Sequence, residues 1–144
     1  MLRRLLLESK YEIQCSFQCQ YVGNQCRNES LKLATGDWAL WIDADERLTP
    51  DSQAAIKQAI TRPHFAGFNI PIVNFMSEAG EAEQYVHAPT RLFQLKPFTK
   101  FEGRIHEQVT PSLDQMGLPY GTCSGATILH EGYRPTMMAE RDKV

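Results

Sequence analysis

The chain has 144 residues, 42% of them apolar and 22% charged, with a formal net charge of −2. That length suits one domain with its own core, since domains run about 100–200 residues. The near balance of charge excludes bulk electrostatic binding to nucleic acid or to an anionic membrane, and no apolar run approaches the ~20 residues needed to cross a bilayer.

The chain opens with a basic start and a short apolar run, Met1 to Leu7, which Glu8-Ser9-Lys10 interrupts. A secretory signal needs an apolar run of about 7–15 residues, so an amphipathic first helix and a cytoplasmic protein are expected. Cysteines stand at 15, 19, 26 and 123. The first two are spaced for neighbouring helical turns, and all four read as buried or idle thiols rather than as a zinc site or a disulfide framework. Residues 1–22 carry mixed signals and no clear element, which leaves residues 23–144 as the domain.

From Asn24 to Thr35 the pattern predicts a helix, with Asn24 as N-cap and Gly36 at its left-handed end. Trp38 to Ile42 is a nearly unbroken apolar run, as expected of a strand buried on both faces of a parallel sheet. It stops at Asp43-Ala44-Asp45-Glu46. Thr49 and Pro50 then predict a helix start, with Ala54, Ala55, Ile56, Ala59 and Ile60 as its apolar face. Residues 66–76 and 86–95 read as a hairpin-like strand pair, followed by a short helix near 111–116 and a last strand at 126–129. That strand leads into His130-Glu131-Gly132-Tyr133. The order predicts an α/β fold, a mixed sheet flanked by helices.

The chemistry-bearing feature is a buried strand ending in Asp43-x-Asp45. Ligands of α/β sheets bind beyond the carboxyl ends of strands, and two carboxylates placed there call for a hard divalent cation, Mg²⁺ or Mn²⁺. The bland alternative is that one aspartate caps the turn and the other is solvated.

The block Arg27-Asn28-Glu29, Gly36-Asp37, the strand, Asp43-Ala44-Asp45-Glu46 and Leu48-Thr49-Pro50 resembles family-2 glycosyltransferases of the GT-A, Rossmann-like fold. Arg91-Leu92-Phe93, Phe101 to Glu107 and His130 to Tyr133 look like that family in the same order, so the resemblance covers about residues 24–135. It implies metal-dependent, inverting transfer of a sugar from a UDP- or GDP-sugar donor to an acceptor hydroxyl. Asp45 would bind the metal, Asp43 the donor ribose or the metal, and His130 would be a third metal ligand, or else an ordinary hydrogen-bonded histidine. Arg27, with Asn28 beside it, would lie near the nucleotide, or else be a plain surface arginine. Glu107 is the candidate base with His106 behind it, the alternative being an Arg104–Glu107 ion pair.

The family's opening strands, with their Asp-Gly-Ser-x-Asp-like segment, have no counterpart in residues 1–22, so the resemblance is to a partial GT-A domain. The edge of the strand at 38–42 would then be exposed, and dimerisation through it or poor solubility is expected. Two competing readings are a remnant that keeps these residues without binding a donor, and a haloacid-dehalogenase-type phosphatase. The latter also places Asp-x-Asp after an apolar strand, but its usual Gly-Thr step is replaced here by Glu46-Arg47.

Overall fold

The computed structural model describes residues 24–75, 84–103 and 106–130. The expectations placed on residues 1–22 and on Glu131 to Tyr133 lie outside them. Helix α1 (Asn24–Lys32) leads to strand β1 (Trp38–Leu40), a tight turn, and strand β2 (Glu46–Leu48). Helix α2 (Ser52–Ala59) follows, then strands β3 (Gly67–Asn69), β4 (Ile72–Phe75), β5 (Gln84–His87) and β6 (Thr90–Gln94). A one-turn helix α3 (Thr110–Leu113) runs into a 3₁₀ turn, and strands β7 (Tyr120–Thr122) and β8 (Ile128–His130) complete the order.

The fold is mixed α/β, as expected, with its strands in two four-stranded sheets of order β1-β6-β3-β7 and β2-β8-β4-β5. The predicted hairpin is present and spans both sheets. Pro71 separates β3 from β4 and Pro89 separates β5 from β6. Proline cannot donate to a ladder, so both arms of the hairpin break at their prolines and pass from one sheet to the other. The β3–β6 and β4–β5 pairs are antiparallel, and β7 and β8 run parallel to β3 and β4. Gly67 is required where β6 comes close: a Cβ there would stand 2.9 Å from the Leu92 carbonyl oxygen.

The apolar run at 38–42 behaves differently from expectation in one respect. β1 is antiparallel to β6 and forms an edge of its sheet. Both its faces are nonetheless covered, Trp38 and Leu40 by one core cluster and Ala39 and Trp41 by the other. That two-sided cover explains the unbroken apolar pattern without a parallel sheet. The first cluster is built from Ile56 and Ala59 of α2 against Phe68, Ile70, Ile72, Leu92 and Ile128. The second gathers Ala66, Phe93, Phe101, Val109 and Leu113. At the helix ends, α1 stops at Lys32 and Gly36 keeps a negative φ, so it is not the left-handed cap. α2 begins at Ser52, because Thr49 is held in a preceding turn whose carbonyl accepts from the Ser52 N–H at 3.1 Å.

Cys123 is a buried free thiol, whereas Cys26 is disulfide-bonded. The idle-thiol reading therefore fails at Cys26. Disulfides persist in oxidising compartments, so the cysteines lend no support to a cytoplasmic setting. Among the described residues no helix is long and apolar enough to cross a membrane.

Candidate functional site

The turn between β1 and β2 carries Asp43-Ala44-Asp45-Glu46 and closes on itself. The Glu46 N–H donates to the Asp43 carbonyl at 3.0 Å, and the Asp43 N–H donates to Glu46 Oε2 at 2.8 Å. This lock sends the three acids in different directions. Glu46 turns inward, its side chain 3% exposed, and pairs with Arg91 Nη2 at 2.7 Å. Burial raises its pKa above the ordinary carboxylate value, although Arg91 opposes the shift. Arg91, itself 12% exposed, also donates through both Nη atoms to Asp43 Oδ2 at 3.3 Å.

Asp43 has two further partners. Its Oδ1 accepts from Trp41 Nε1 at 2.9 Å and lies 3.5 Å from Arg27 Nη2. Arg27 lies over the Trp41 and Phe101 rings, 4.9 and 5.4 Å from their centroids, a cation–π setting that holds a guanidinium in place. Its Nε is 3.9 Å from Glu107 Oε2. Three of the residues singled out in the sequence, Arg27, Asp43 and Glu107, thus meet around one guanidinium. Asn28 faces the backbone of Phe101, giving and receiving a hydrogen bond at 3.0 and 2.6 Å. Both ends of its side-chain amide thus tie α1 to the segment under Arg27.

Glu107 sits on a loop closed by the reciprocal backbone pair of Glu102 and Gln108. Next to it His106 is exposed and takes a positive φ of 57°. A non-glycine residue in that region is uncommon and worth about 1–3 kcal/mol of local strain. Arg104, the alternative partner of Glu107, lies outside the described residues.

The register of β2 on β8 sets Glu46 opposite His130. Asp45, one residue before, comes within reach, and its Oδ2 lies 3.2 Å from His130 Nε2. The structure thus brings Asp45 and His130 together, two residues singled out in the sequence that stand 85 positions apart. A carboxylate beside an imidazole is a donor pair that fits a divalent ion, Mn²⁺ better than Mg²⁺. Asp43 turns instead to the arginines. Among the described residues no group of three His, Cys, Asp or Glu side chains could hold a metal ion.

Three residues that organise the site were given no role from sequence: Glu46, Arg91 and Asn74. Asn74 is buried in β4 and hydrogen-bonds His130. Asn74 alone left a faint signal, a polar side chain set in the otherwise apolar strand Ile72–Phe75, while Glu46 and Arg91 stand in strands of mixed character. On another flank of α1 a groove of about 840 Å³ is lined by Lys32, Lys96, Lys100 and Phe98 among others. No acid or imidazole is among its lining residues, so it offers neither a carboxylate nor a histidine for proton transfer or metal ligation.

No protein-family model matches the chain. A TPR repeat-containing protein of Synechococcus elongatus is 32% identical over 88 residues, 60% of this chain and 21% of that protein. The SPbeta prophage-derived glycosyltransferase SunS of Bacillus subtilis is 25% identical over 111 residues, 76% of this chain and 25% of that protein. The glycosyltransferase SunS of Bacillus phage SPbeta matches to the same extent. The chain thus spans a fifth to a quarter of the length of the curated relatives it matches, two of which are glycosyltransferases.

Proposed function

We propose that this chain carries the donor- and metal-binding face of an inverting, family-2-like GT-A glycosyltransferase, which moves a sugar from a UDP- or GDP-sugar to an acceptor hydroxyl. One observation carries the reading: the turn after β1 divides its aspartates, Asp45 to His130 and Asp43 to Arg27, with Glu107 on the same guanidinium. Asp45 and His130 are the residues that would hold Mn²⁺ or Mg²⁺. When bound, such an ion neutralises the leaving diphosphate, a Lewis-acid effect. Asp43, already held by Trp41 and Arg91, takes the ribose side of the donor. Arg27 faces its phosphates, where a guanidinium makes strong charge-assisted bonds. Glu107 accepts the proton of the attacking hydroxyl, and Asn28 acts by anchoring the helix that presents Arg27.

A phosphatase of the haloacid dehalogenase type is disfavoured. It would need Asp43 as a nucleophile, and both oxygens of Asp43 are engaged by Trp41, Arg27 and Arg91.

The test is a calorimetric titration of Mn²⁺ with UDP, and separately with GDP. Wild-type protein is expected to bind nucleotide in a metal-dependent way, and Asp45→Ala to lose that binding. No binding of either nucleotide to folded wild-type protein would sink the proposal and leave the remnant reading.

Among the described residues β1 has a neighbour on one side only, and this supports dimerisation, because such a strand edge is a template for another chain. Sedimentation across a concentration series is expected to show a mass that rises toward the dimer. A constant monomer mass would refute it.

A further inference from the structure

Asn74 lies in β4 with 2% of its surface exposed, between three groups that decide its orientation. Its Nδ2 is 2.9 Å from the Tyr85 carbonyl oxygen and 3.2 Å from His87 Nδ1. A carbonyl oxygen accepts and never donates, so the amide NH₂ must face Tyr85 and the amide oxygen must face the other way. There Asn74 Oδ1 lies 2.7 Å from His130 Nδ1. An amide oxygen also accepts and never donates, so the proton of this short bond belongs to His130 Nδ1. In the neutral ring Nε2 is then the unprotonated nitrogen, and it is the atom 3.2 Å from Asp45 Oδ2. Two acceptors facing one another at that distance require a positive centre shared between them, a proton or a cation.

We infer that Asn74 is a positioning residue, which fixes His130 in the tautomer with its proton on Nδ1 and so presents Nε2, beside the Asp45 carboxylate, as a donor for a divalent cation. The neutral imidazole of a metal-ligating histidine is oriented by what its other nitrogen bonds. Here that partner is a side-chain amide, held in turn by the β5 backbone. Neighbouring strands β4 and β8 run parallel with Asn74 opposite His130, so the sheet register itself supplies the pairing. The inference deepens the metal-binding reading and rests on it for the cation, but the tautomer can be read without any metal.

The experiment uses the full chain labelled with ¹⁵N. Long-range ¹H–¹⁵N spectra of the imidazoles, taken metal-free, report whether Nδ1, Nε2 or both carry a proton. His130 is identified by the loss of its signals in His130→Gln. Wild-type His130 is expected to carry its proton on Nδ1. Asn74→Asp, which keeps an acceptor toward Nδ1, is expected to retain that tautomer. Asn74→Leu is expected to shift the ring toward the Nε2-protonated form and to weaken Mn²⁺ binding about 10–100-fold, the usual effect of removing a partner of a metal ligand. A wild-type ring protonated on Nε2 and not on Nδ1 would overturn the inference with no variant needed. So would an Asn74→Leu protein whose tautomer and Mn²⁺ affinity are unchanged. The expected tautomers without Mn²⁺ binding in any form would overturn the metal-binding reading and leave Asn74's control of the ring standing.

Discussion

Replacing Arg91 with alanine is expected to cost the fold about 3–5 kcal/mol at neutral pH, the range for removing one partner of a buried ion pair. Against a typical domain stability of about 5–15 kcal/mol, that is a large share of the total. The reason is Glu46. Its carboxylate is 3% exposed and Arg91 is its 2.7 Å partner, so without the guanidinium a charge is left buried and uncompensated. Asp43 also loses a partner, but it is 36% exposed and water can replace the bond.

The pH dependence gives this prediction a sharper form. Glu46 has a pKa raised above the ordinary 4.5, burial being the largest cause. A carboxyl group with a raised folded pKa binds its proton more tightly in the fold than in the unfolded chain. Its contribution to stability is therefore fully present below 4.5 and is lost as pH rises through the folded value. Arg91 opposes the upward shift, so its removal raises the folded pKa further. The loss in Arg91→Ala should then be greatest near neutral pH and shrink on acidification, as Glu46 becomes neutral. Glu46→Gln placed in the Arg91→Ala background should recover most of the loss, because the amide oxygen can still accept from the Asp43 N–H. Urea unfolding at pH 5 and pH 7 checks all three statements. An equal loss at both pH values, with no recovery in the double variant, would mean that Arg91 stabilises by packing and not by charge.

The elements legible in the sequence were those whose own pattern decides them. The helix after Asn24, the apolar strand before Asp43 and the apolar face of the helix carrying Ile56 all declare themselves within a dozen residues. β2 (Glu46-Arg47-Leu48) and β7 (Tyr120-Gly121-Thr122) do not, since three residues carry no periodicity and each strand exists through a distant partner. Pro71 and Pro89 stood in plain view and did mark the breaks in the hairpin, but that both breaks coincide with a change of sheet depends on the pairing. The site divides the same way. Asp43, Asp45 and Glu107 were singled out because chain order and residue type resemble a known family. Arg91 and Asn74 were not, because their partners lie 48 and 56 residues away and nothing local says which acid or imidazole a strand residue will meet.

Glu107→Gln is expected to lower the rate of sugar transfer by about 10²–10⁴, the usual contribution of a general base, while leaving metal-dependent nucleotide binding intact. The geometry gives Glu107 an advantage over its neighbour. Its side chain is 16% exposed and lies 3.9 Å from Arg27, which also contacts Asp43, so its carboxylate is placed at the proposed donor site. His106 is exposed and takes a backbone conformation that glycine adopts readily. His106→Gly is therefore the matched control, because it removes the imidazole while preserving the loop that positions Glu107. The readout is release of nucleoside diphosphate from the nucleotide sugar, with water as the acceptor, so no acceptor need be known. A large loss in Glu107→Gln with a small one in His106→Gly assigns the base to Glu107. The reverse pattern assigns it to His106 and reduces Glu107 to an ion-pair partner of Arg27. The distinction can be drawn because one carboxylate oxygen is exchanged for an amide nitrogen of nearly the same size, which leaves packing in place and removes the site's ability to take a proton.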